Sequence, residues 1–137
     1  MAGPEFPLSN PEAAAELMTV FRSDAGADYQ DAVVLEPVGE LDQVSAAVLW
    51  EPLAEHLAVS GRHVVLDLAD ITFFASIGIK ILVMADVRAR RCGSSLAIVV
   101  TTRTVERPMQ LLGVLDQLPV YSRRQDALRA HPPPHLG

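Results

Sequence analysis

The chain has 137 residues, half of them hydrophobic, and a formal net charge of −6. This length builds one sizeable hydrophobic core but hardly two, so a single domain is predicted. The acidic balance argues against nucleic acid and anionic membranes as partners, because both bind through an excess of Lys and Arg. A basic protein or a small ligand is compatible with it.

The sequence predicts a cytoplasmic protein. Cys92 is the only cysteine and cannot form an internal disulfide, which indicates a reducing compartment. The chain does not open with a basic lead followed by an apolar signal stretch. The longest apolar run, around 77–85, is interrupted by Lys80 and falls short of the ~20 residues that span a bilayer.

The two ends are predicted to lie outside the folded domain. Residues 1–16 are expected to be a disordered lead, of which 1–7 resembles a cloning remnant. Residues 131–137 contain three consecutive prolines, which lack the N–H that a helix needs, and are expected to be a disordered tail. The single domain is therefore expected over 17–130.

The domain begins with two extended runs. Residues 17–22 and 32–38 are rich in side chains that favour strands, and the polar and glycine-containing segment 23–28 between them is typical of a turn. The two runs are therefore predicted to pair as neighbours. Gly39-Glu-Leu-Asp42 then breaks the extended pattern.

A helix and a central strand come next. Apolar residues near helical spacing predict a helix over 44–59, with Gly61 placed to end it. Pro52 falls inside this helix, which predicts a kink or a later start. The continuously apolar run 64–68 predicts a central strand, after which the chain turns directly toward a long helix that begins at Ser76.

Helices and strands alternate to the end of the domain. The Ser76 helix ends in three arginines that complement its dipole, and Gly93 is its stop signal. The order of elements predicts an α/β fold, a mixed or largely parallel β-sheet of four to five strands with about four helices packed on it. The remaining predicted elements are a strand over 96–100, a helix over 104–112 closed by Gly113, an edge strand over 118–121 and a last helix over 123–130.

Ser76 is the residue that most clearly indicates a function. The first turn of a helix has backbone N–H groups without intrahelical partners and the positive end of the helix dipole. A phosphate added to Ser76 would be well positioned there. Serine is also among the commonest N-cap residues, so a cap without chemistry is the alternative interpretation.

No constellation of catalytic or metal-binding residues is evident, so the sequence does not predict an enzyme, a cofactor or a metal site. Trp50 is predicted to pack on the first helix. The histidines share no metal spacing with one another or with Cys92 and are predicted to be surface or tail residues: His56, His63, His131 and His135.

Five motifs follow one another at a characteristic spacing. They are Gly39-Glu-Leu-Asp42, Val64-Val-Leu-Asp-Leu68, Phe74-Ala-Ser-Ile-Gly-Ile79, Leu111-Leu-Gly-Val-Leu115 and Leu118-Pro-Val-Tyr121. In this order they resemble the first turn, central strand, phosphorylation loop, closing helix and closing strand of a STAS domain of the anti-sigma factor antagonist family. The resemblance covers about 33–128, and no single motif is specific alone. In the family pattern the strand ends near the loop at Asp67, which implies a hydrogen bond of this side chain that faces the loop.

The resemblance implies a protein that binds a serine-kinase anti-sigma factor and so releases a sigma factor. In this family the anti-sigma factor phosphorylates the serine of the loop, which abolishes binding, and Ser76 occupies that position. Ala75 stands where the family has aspartate and Ile77 where it has a second hydroxyl, whereas Gly78 is kept. A divergent STAS binding module that is not phosphorylated is therefore an alternative.

The resemblance also implies partner contacts from the turn beside the loop. Glu40 and Asp42 belong to that turn, although Asp42 can equally be the N-cap of the helix that starts near Val44. Thr72 is the other hydroxyl close to the loop. The simpler interpretation of Thr72 is a β-branched residue that ends the strand.

The helix after Ser76 carries an apolar strip. Ile79, Val83 and Val87 lie off the face predicted to meet the sheet, so this strip is either an exposed interface or is covered by another helix. The complete set of predicted partner-binding residues is Glu40, Asp42, Thr72, Ala75, Ile77, Gly78, Ile79 and Val83.

A STAS subunit of an ABC-type membrane transport assembly is the alternative function implied by the same fold. The two functions differ in the partner, which is an anti-sigma factor in one and an ATPase in the other. Neither involves direct binding of nucleic acid or membrane insertion. The free protein is expected to be a monomer or a weak dimer.

Overall fold

The apolar runs of the chain form the strands of a five-stranded sheet. Its order is β1-β2-β4-β6-β7, with β1 antiparallel to β2 and all other neighbours parallel. The predicted mixed sheet and the pairing of the first two strands are confirmed. The computed structural model describes residues 18–23 and 31–130, and its strands are β1 (Met18–Ser23), β2 (Ala32–Pro37), β3 (Gly39–Leu41), β4 (His63–Asp67), β5 (Ile71–Phe74), β6 (Ser95–Val99) and β7 (Val120–Tyr121).

Helices cover both faces of this sheet. On β2, Val33 and Leu35 join a large core with the first three helices, whereas Val34, between them, faces a small core that contains Ala127 of the last helix. Because β2, β4 and β6 are buried on both faces, they are almost continuously apolar. The helices are α1 (Gln43–Leu57), α2 (Ser76–Cys92), α3 (Arg103–Leu111) and α4 (Arg124–Arg129).

The two strands outside the main sheet differ from the prediction. Strands β3 and β5 form a separate parallel pair, where a break at 39–42 and a direct turn to the Ser76 helix were predicted. The register of this pair shifts between Gly39 and Glu40, and β5 is buried at its two ends but exposed at its two central residues. The simple alternation of a regular strand is therefore absent. This small sheet forms the base from which α2 begins.

Helix α1 starts at Gln43 and continues through Pro52, so the predicted later start is wrong. The helix ends at Leu57 with Ala58 as its C-cap, and Gly61 lies in the following turn at φ 83°. A buried face compensates for the N–H that proline lacks. That face contains residues three and four apart, namely Ala46, Leu49, Leu53 and Leu57.

The later elements lie close to their predicted positions. Helix α2 begins at Ser76, and Gly93 ends it in the left-handed conformation at φ 75°. Strand β7 lies at the edge of the main sheet, as predicted. The predicted lead and tail lie outside the described residues, as does most of the predicted turn at 23–28. Within the described part of the chain, no helix combines the length and the apolar character needed to cross a membrane.

Candidate functional site

Ser76 lies at the exposed start of α2, one residue after the cap. Ala75 is the N-cap residue, with the extended backbone of a cap at φ −80° and ψ 167°, and Ser76 is the first helical residue. The interpretation of Ser76 as the cap is therefore wrong. Its side chain is exposed, which leaves the hydroxyl accessible to another protein.

The start of α2 lacks a side-chain cap. Ala75 offers no acceptor, and the first turn has no acidic residue. Backbone bonds hold the turn instead, since the Ala75 N–H donates to the Leu41 carbonyl (3.0 Å) and the Gly78 N–H donates to the Ala75 carbonyl (2.8 Å). The N–H groups of Ser76 and Ile77 have no intrahelical acceptor. Ser76 therefore lies in the positive field of an uncompensated helix end.

Helix α1 begins with the cap that α2 lacks. The Asp42 Oδ1 accepts the N–H groups of Ser45 (3.0 Å) and Val44 (3.1 Å), and the Ser45 hydroxyl accepts the Asp42 N–H (2.9 Å). The bond from the Ser45 N–H, with smaller contributions from the Ser45 hydroxyl and the Val44 N–H, lowers the pKa of Asp42 below its ordinary value. The capping role of Asp42 is confirmed. Its contact with a partner stays a prediction.

Gly78 is a buried residue whose lack of a side chain is required by packing. A Cβ at this position would lie only 2.5 Å from the nearest ring atom of Phe74, which belongs to the large core. Helix α2 can therefore begin this close to β5 only with glycine here. Any contribution of Gly78 to partner binding is indirect, through the position of the helix start.

An exposed stripe extends along α2 from the serine. At about 100° per residue, Ser76, Lys80, Val83 and Val87 lie within about 60° of one another around the helix axis. All four are exposed, Val83 by 41% and Val87 by 42% of their surfaces. Of the predicted apolar strip, the two valines are thus exposed and Ile79 is buried, whereas the role of the strip as an interface stays a prediction. We refer to these four residues as the Ser76 stripe.

The small sheet adds an exposed aromatic ring beside the loop. Phe73, three residues before Ser76, is 51% exposed and pairs in register with the exposed Glu40. Thr72 is also exposed, and it lies within β5 and does not end the strand before it. Phe73 was missed because the chain was predicted to turn directly from the strand over 64–68 toward the Ser76 helix. The run Ile71–Phe74, rich in β-branched and aromatic residues, is the signal that predicts a strand there.

Ala75 and Ile77, on either side of the serine, are partly buried. The side chain of Ile77 packs against the large core, which fixes the first turn of α2 to the body of the protein. The residues predicted to contact a partner are therefore brought together around the start of α2. Those with exposed side chains are Glu40, Thr72 and Val83, and Ser76, the predicted phosphorylation site, is exposed with them.

His63 is buried, so its prediction as a surface residue is wrong. His63 is 1% exposed, with Nδ1 2.7 Å from the Ser95 hydroxyl and Nε2 2.8 Å from the Ala127 carbonyl, to which it donates. His56 is half-buried, with Nδ1 2.8 Å from a guanidinium nitrogen of Arg62. The polar residue His63 occupies a strand position facing α4, where it joins two strands to the last helix. His131 and His135 lie outside the described residues.

Asp67 makes the hydrogen bond that was predicted and a second contact that was not. Its Oδ1 accepts the N–H of Ala69 in the following turn (3.0 Å), and its Oδ2 accepts from Arg124 of α4 (2.9 Å). Trp50 is partly buried against the large core, as predicted. Over residues 18–23 and 31–130, no three His, Cys, Asp or Glu side chains are grouped to hold a metal ion.

Comparison with known proteins gives a consistent family. The family model described as the STAS domain matches residues 27–127. The anti-sigma-F factor antagonist RsfB of Mycobacterium tuberculosis, in strains CDC 1551 / Oshkosh and ATCC 25618 / H37Rv, is 33% identical over 104 residues, which are 74% of this chain and 83% of that protein.

Solved structures are similar over most of the chain. The crystal structure of an anti-sigma factor antagonist from Mycobacterium paratuberculosis is 27% identical, with a TM-score of 0.70, and the match covers 90% of this chain and 98% of that one. An anti-sigma-factor antagonist (STAS) domain protein from Planctomyces limnophilus is 20% identical with a TM-score of 0.61, over 83% and 97% of the two chains. The second similarity supports the fold alone.

Proposed function

Because the chain belongs to the STAS domain family, among the anti-sigma factor antagonists, we propose that it binds an anti-sigma factor of the serine-kinase type and thereby releases a sigma factor. Phosphorylation of Ser76 by that kinase ends the binding. The protein acts as a regulatory binding module in the cytoplasm, as a monomer or weak dimer, and not as an enzyme.

The observation that carries this proposal is the surface around Ser76. The serine hydroxyl is exposed on the first residue of α2, beside the exposed ring of Phe73 and in line with Val83 and Val87. An accessible hydroxyl within an apolar surface suits both parts of the switch. The apolar side chains bind the partner by leaving water, and the hydroxyl lies where a modification interrupts the contact.

A phosphate on Ser76 would act through charge and hydration. It adds close to two negative charges at neutral pH. The N–H groups at the start of α2 that have no intrahelical acceptor can donate hydrogen bonds to this anion, and no acidic side chain of the first turn opposes it. The same phosphate would have to lose water at an interface that includes Phe73 and Val83, which is costly. Phosphorylation is therefore compatible with the fold and incompatible with binding.

Lys80 of the Ser76 stripe is a cation one turn from the serine, but the carboxylates beside the small sheet favour a basic partner there. Glu40 is exposed beside Phe73, and the lowered pKa of Asp42 keeps that carboxylate charged at neutral pH. The whole chain has a formal net charge of −6. A partner surface with cationic side chains around an apolar centre would match this arrangement. The cations should face Glu40 and Asp42 and not Ser76, because cations within reach of the phosphate would attract the phosphorylated protein.

The test uses the anti-sigma factor recovered with the chain from its native cytoplasm. The purified partner is incubated with the chain and ATP, modification is located by mass spectrometry, and affinity is measured by calorimetry for the wild type, Ser76→Ala and Ser76→Glu. We expect one phosphate, on Ser76, near-normal binding of the alanine variant, and binding at least tenfold weaker for the glutamate variant and the phosphorylated protein.

A matched control separates the site from the added charge. Ser60 is an exposed serine next to Gly93, at the opposite end of α2 about 25 Å away along the helix. Ser60→Glu adds the same charge and should leave the affinity unchanged. Recovery of an ABC-type ATPase in place of a serine-kinase anti-sigma factor, or equal loss of binding in both glutamate variants, would contradict the proposal.

A further inference from the structure

Arg124 connects the last helix to the ends of two strands. Its Nε and Nη2 both lie 2.9 Å from Oδ2 of Asp67, the last residue of β4, and Nη2 also contacts the Glu36 carboxylate near the end of β2. Asp67 is almost completely buried, with 6% of its side chain exposed, and the other two side chains are partly covered. This cluster is partly buried and is separate from the surface around Ser76.

The cluster marks the point where both strands leave the main sheet. After Glu36, the chain continues through Pro37 and Val38 into β3, and after Asp67 it continues through a three-residue turn into β5. Strands β3 and β5 then pair to form the base of the Ser76 helix. We refer to the ends of β2 and β4, at Glu36 and Asp67, as the roots of the small sheet. One guanidinium therefore holds both roots together.

Without Arg124 the two roots would repel each other. Leu35 of β2 is paired with Leu66 of β4, so the next residues, Glu36 and Asp67, are neighbours on the same face of the sheet. Burial by itself would lower the pKa of Arg124, but its hydrogen bond to Asp67 and the charges of both carboxylates raise it above the ordinary value. The arginine thus remains charged and neutralises the pair.

A series of hydrogen bonds connects this cluster to the serine. The second carboxylate oxygen of Asp67 accepts the Ala69 N–H (3.0 Å), and the Ile71 N–H closes the same turn on the Leu68 carbonyl (3.2 Å). The Asp70 carbonyl then accepts the Gly39 N–H of β3 (3.1 Å). The last bond of the series joins the Leu41 carbonyl to the cap residue of α2.

Helix α4 has a second attachment that does not involve Arg124. The Ala127 carbonyl accepts from His63 Nε2 (2.8 Å), and the Ala127 side chain lies in the small core. Loss of the Arg124 contacts therefore leaves α4 attached at Ala127. Its effect should be confined to the strand ends and to the small sheet that they support.

We propose that Arg124 is a positioning residue for the Ser76 loop: by neutralising Glu36 and Asp67 it holds the roots of β3 and β5 together and couples the C-terminal helix to the start of α2. The consequence for partner binding rests on the function proposed above, whereas the structural coupling does not. Any event that draws Arg124 away from the sheet would loosen the Ser76 loop.

Native-state hydrogen exchange tests the coupling in the full chain. Arg124→Gln is compared with Arg123→Gln, which removes a neighbouring arginine whose contact with Asp126 is exposed and long (3.9 Å). We expect exchange in residues 69–76 to rise about tenfold in Arg124→Gln, while residues 95–99 and 127–130 change by less than twofold. Arg123→Gln should match the wild type throughout.

Two results would overturn the proposal. One is an unchanged exchange rate in 69–76, and the other is an equal rise in every segment, which would indicate a general loss of stability. If Arg124→Gln does not fold, Arg124→Lys is measured, since it keeps the charge but not the planar fork, and a smaller rise confined to 69–76 is expected. The anti-sigma factor should bind Arg124→Gln more weakly than Arg123→Gln. Failure of the wild type to bind it would refute the proposed function and leave the exchange result standing.

Discussion

Replacement of Ala75 by aspartate should stabilise the protein, although it introduces a charge next to the candidate switch. Ala75 already has the backbone conformation of an N-cap residue, at φ −80° and ψ 167°, but contributes no side-chain acceptor. The Gly78 N–H is taken by the Ala75 carbonyl, so the N–H of Ile77 is the donor that a new carboxylate would reach. The Asp42 cap of α1 accepts the equivalent bond from Val44 at 3.1 Å.

The expected gain is about 1 kcal/mol, within the range of roughly 0.5–2 kcal/mol found when a capping side chain is exchanged with alanine. For a domain of this size, about 1 kcal/mol corresponds to a rise in Tm of about 4 °C. The free energy of unfolding is measured by urea denaturation at pH 7 for the wild type, Ala75→Asp and Ala75→Asn. The asparagine variant accepts the same hydrogen bond without the charge, so the difference between the two variants reports the interaction with the helix dipole.

The gain from Ala75→Asp should depend on pH. A carboxylate that accepts a backbone N–H has a pKa below its value in the unfolded chain, which is about 3.9. Its contribution is therefore fully present above that unfolded value and is lost as the pH falls through the lower folded value. The asparagine variant should show no such loss. Equal stability of all three proteins at pH 7, within about 0.3 kcal/mol, would show that the residue at position 75 does not act as the N-cap of α2.

Three further predictions concern residues whose environment is well defined. Asp42→Ala should lower the free energy of unfolding by about 1 kcal/mol in urea at pH 7. Because the pKa of Asp42 is lowered in the folded protein, this difference should shrink as the pH falls below the ordinary pKa of 3.8. A constant difference down to pH 2 would contradict the capping role. Val83→Asp should weaken binding of the anti-sigma factor at least tenfold in calorimetry without changing Tm by more than about 2 °C. The control is Val59→Asp, at a similarly exposed valine just beyond the C-terminal end of α1, which should bind normally. Equal affinities of the two variants would remove the Ser76 stripe from the interface. His63→Leu should lower the free energy of unfolding by about 2–4 kcal/mol, because it leaves a partly buried hydroxyl and a buried carbonyl without this partner. A loss below about 1 kcal/mol would mean that these groups find other partners.

Most of the fold was predictable because the signals that specify it are local. The apolar runs of β2, β4 and β6 and the periodicity of α1 and α2 predict their own elements, since a segment buried on both faces or on one face must be apolar in that pattern. Gly93 likewise marks the end of α2 through a conformation that glycine adopts at low cost. The small sheet was not predictable in the same way. Its strands have three and four residues and an irregular register, so neither shows a period.

The position of Ser76 was likewise predictable from the sequence, whereas the exposure of the residues around it was not. Its place at the start of a long helix, and the departure at Ala75 and Ile77, are evident from the order of residues. The exposed ring of Phe73 and the burial of Ile79 depend on how the small sheet and α2 pack, which no neighbouring residue indicates. The contacts of Arg124 with Asp67 and Glu36 join residues 57 and 88 positions apart. Residues so far apart in the sequence meet only after the chain has folded, because tertiary packing alone brings the ends of β2 and β4 and the start of α4 together.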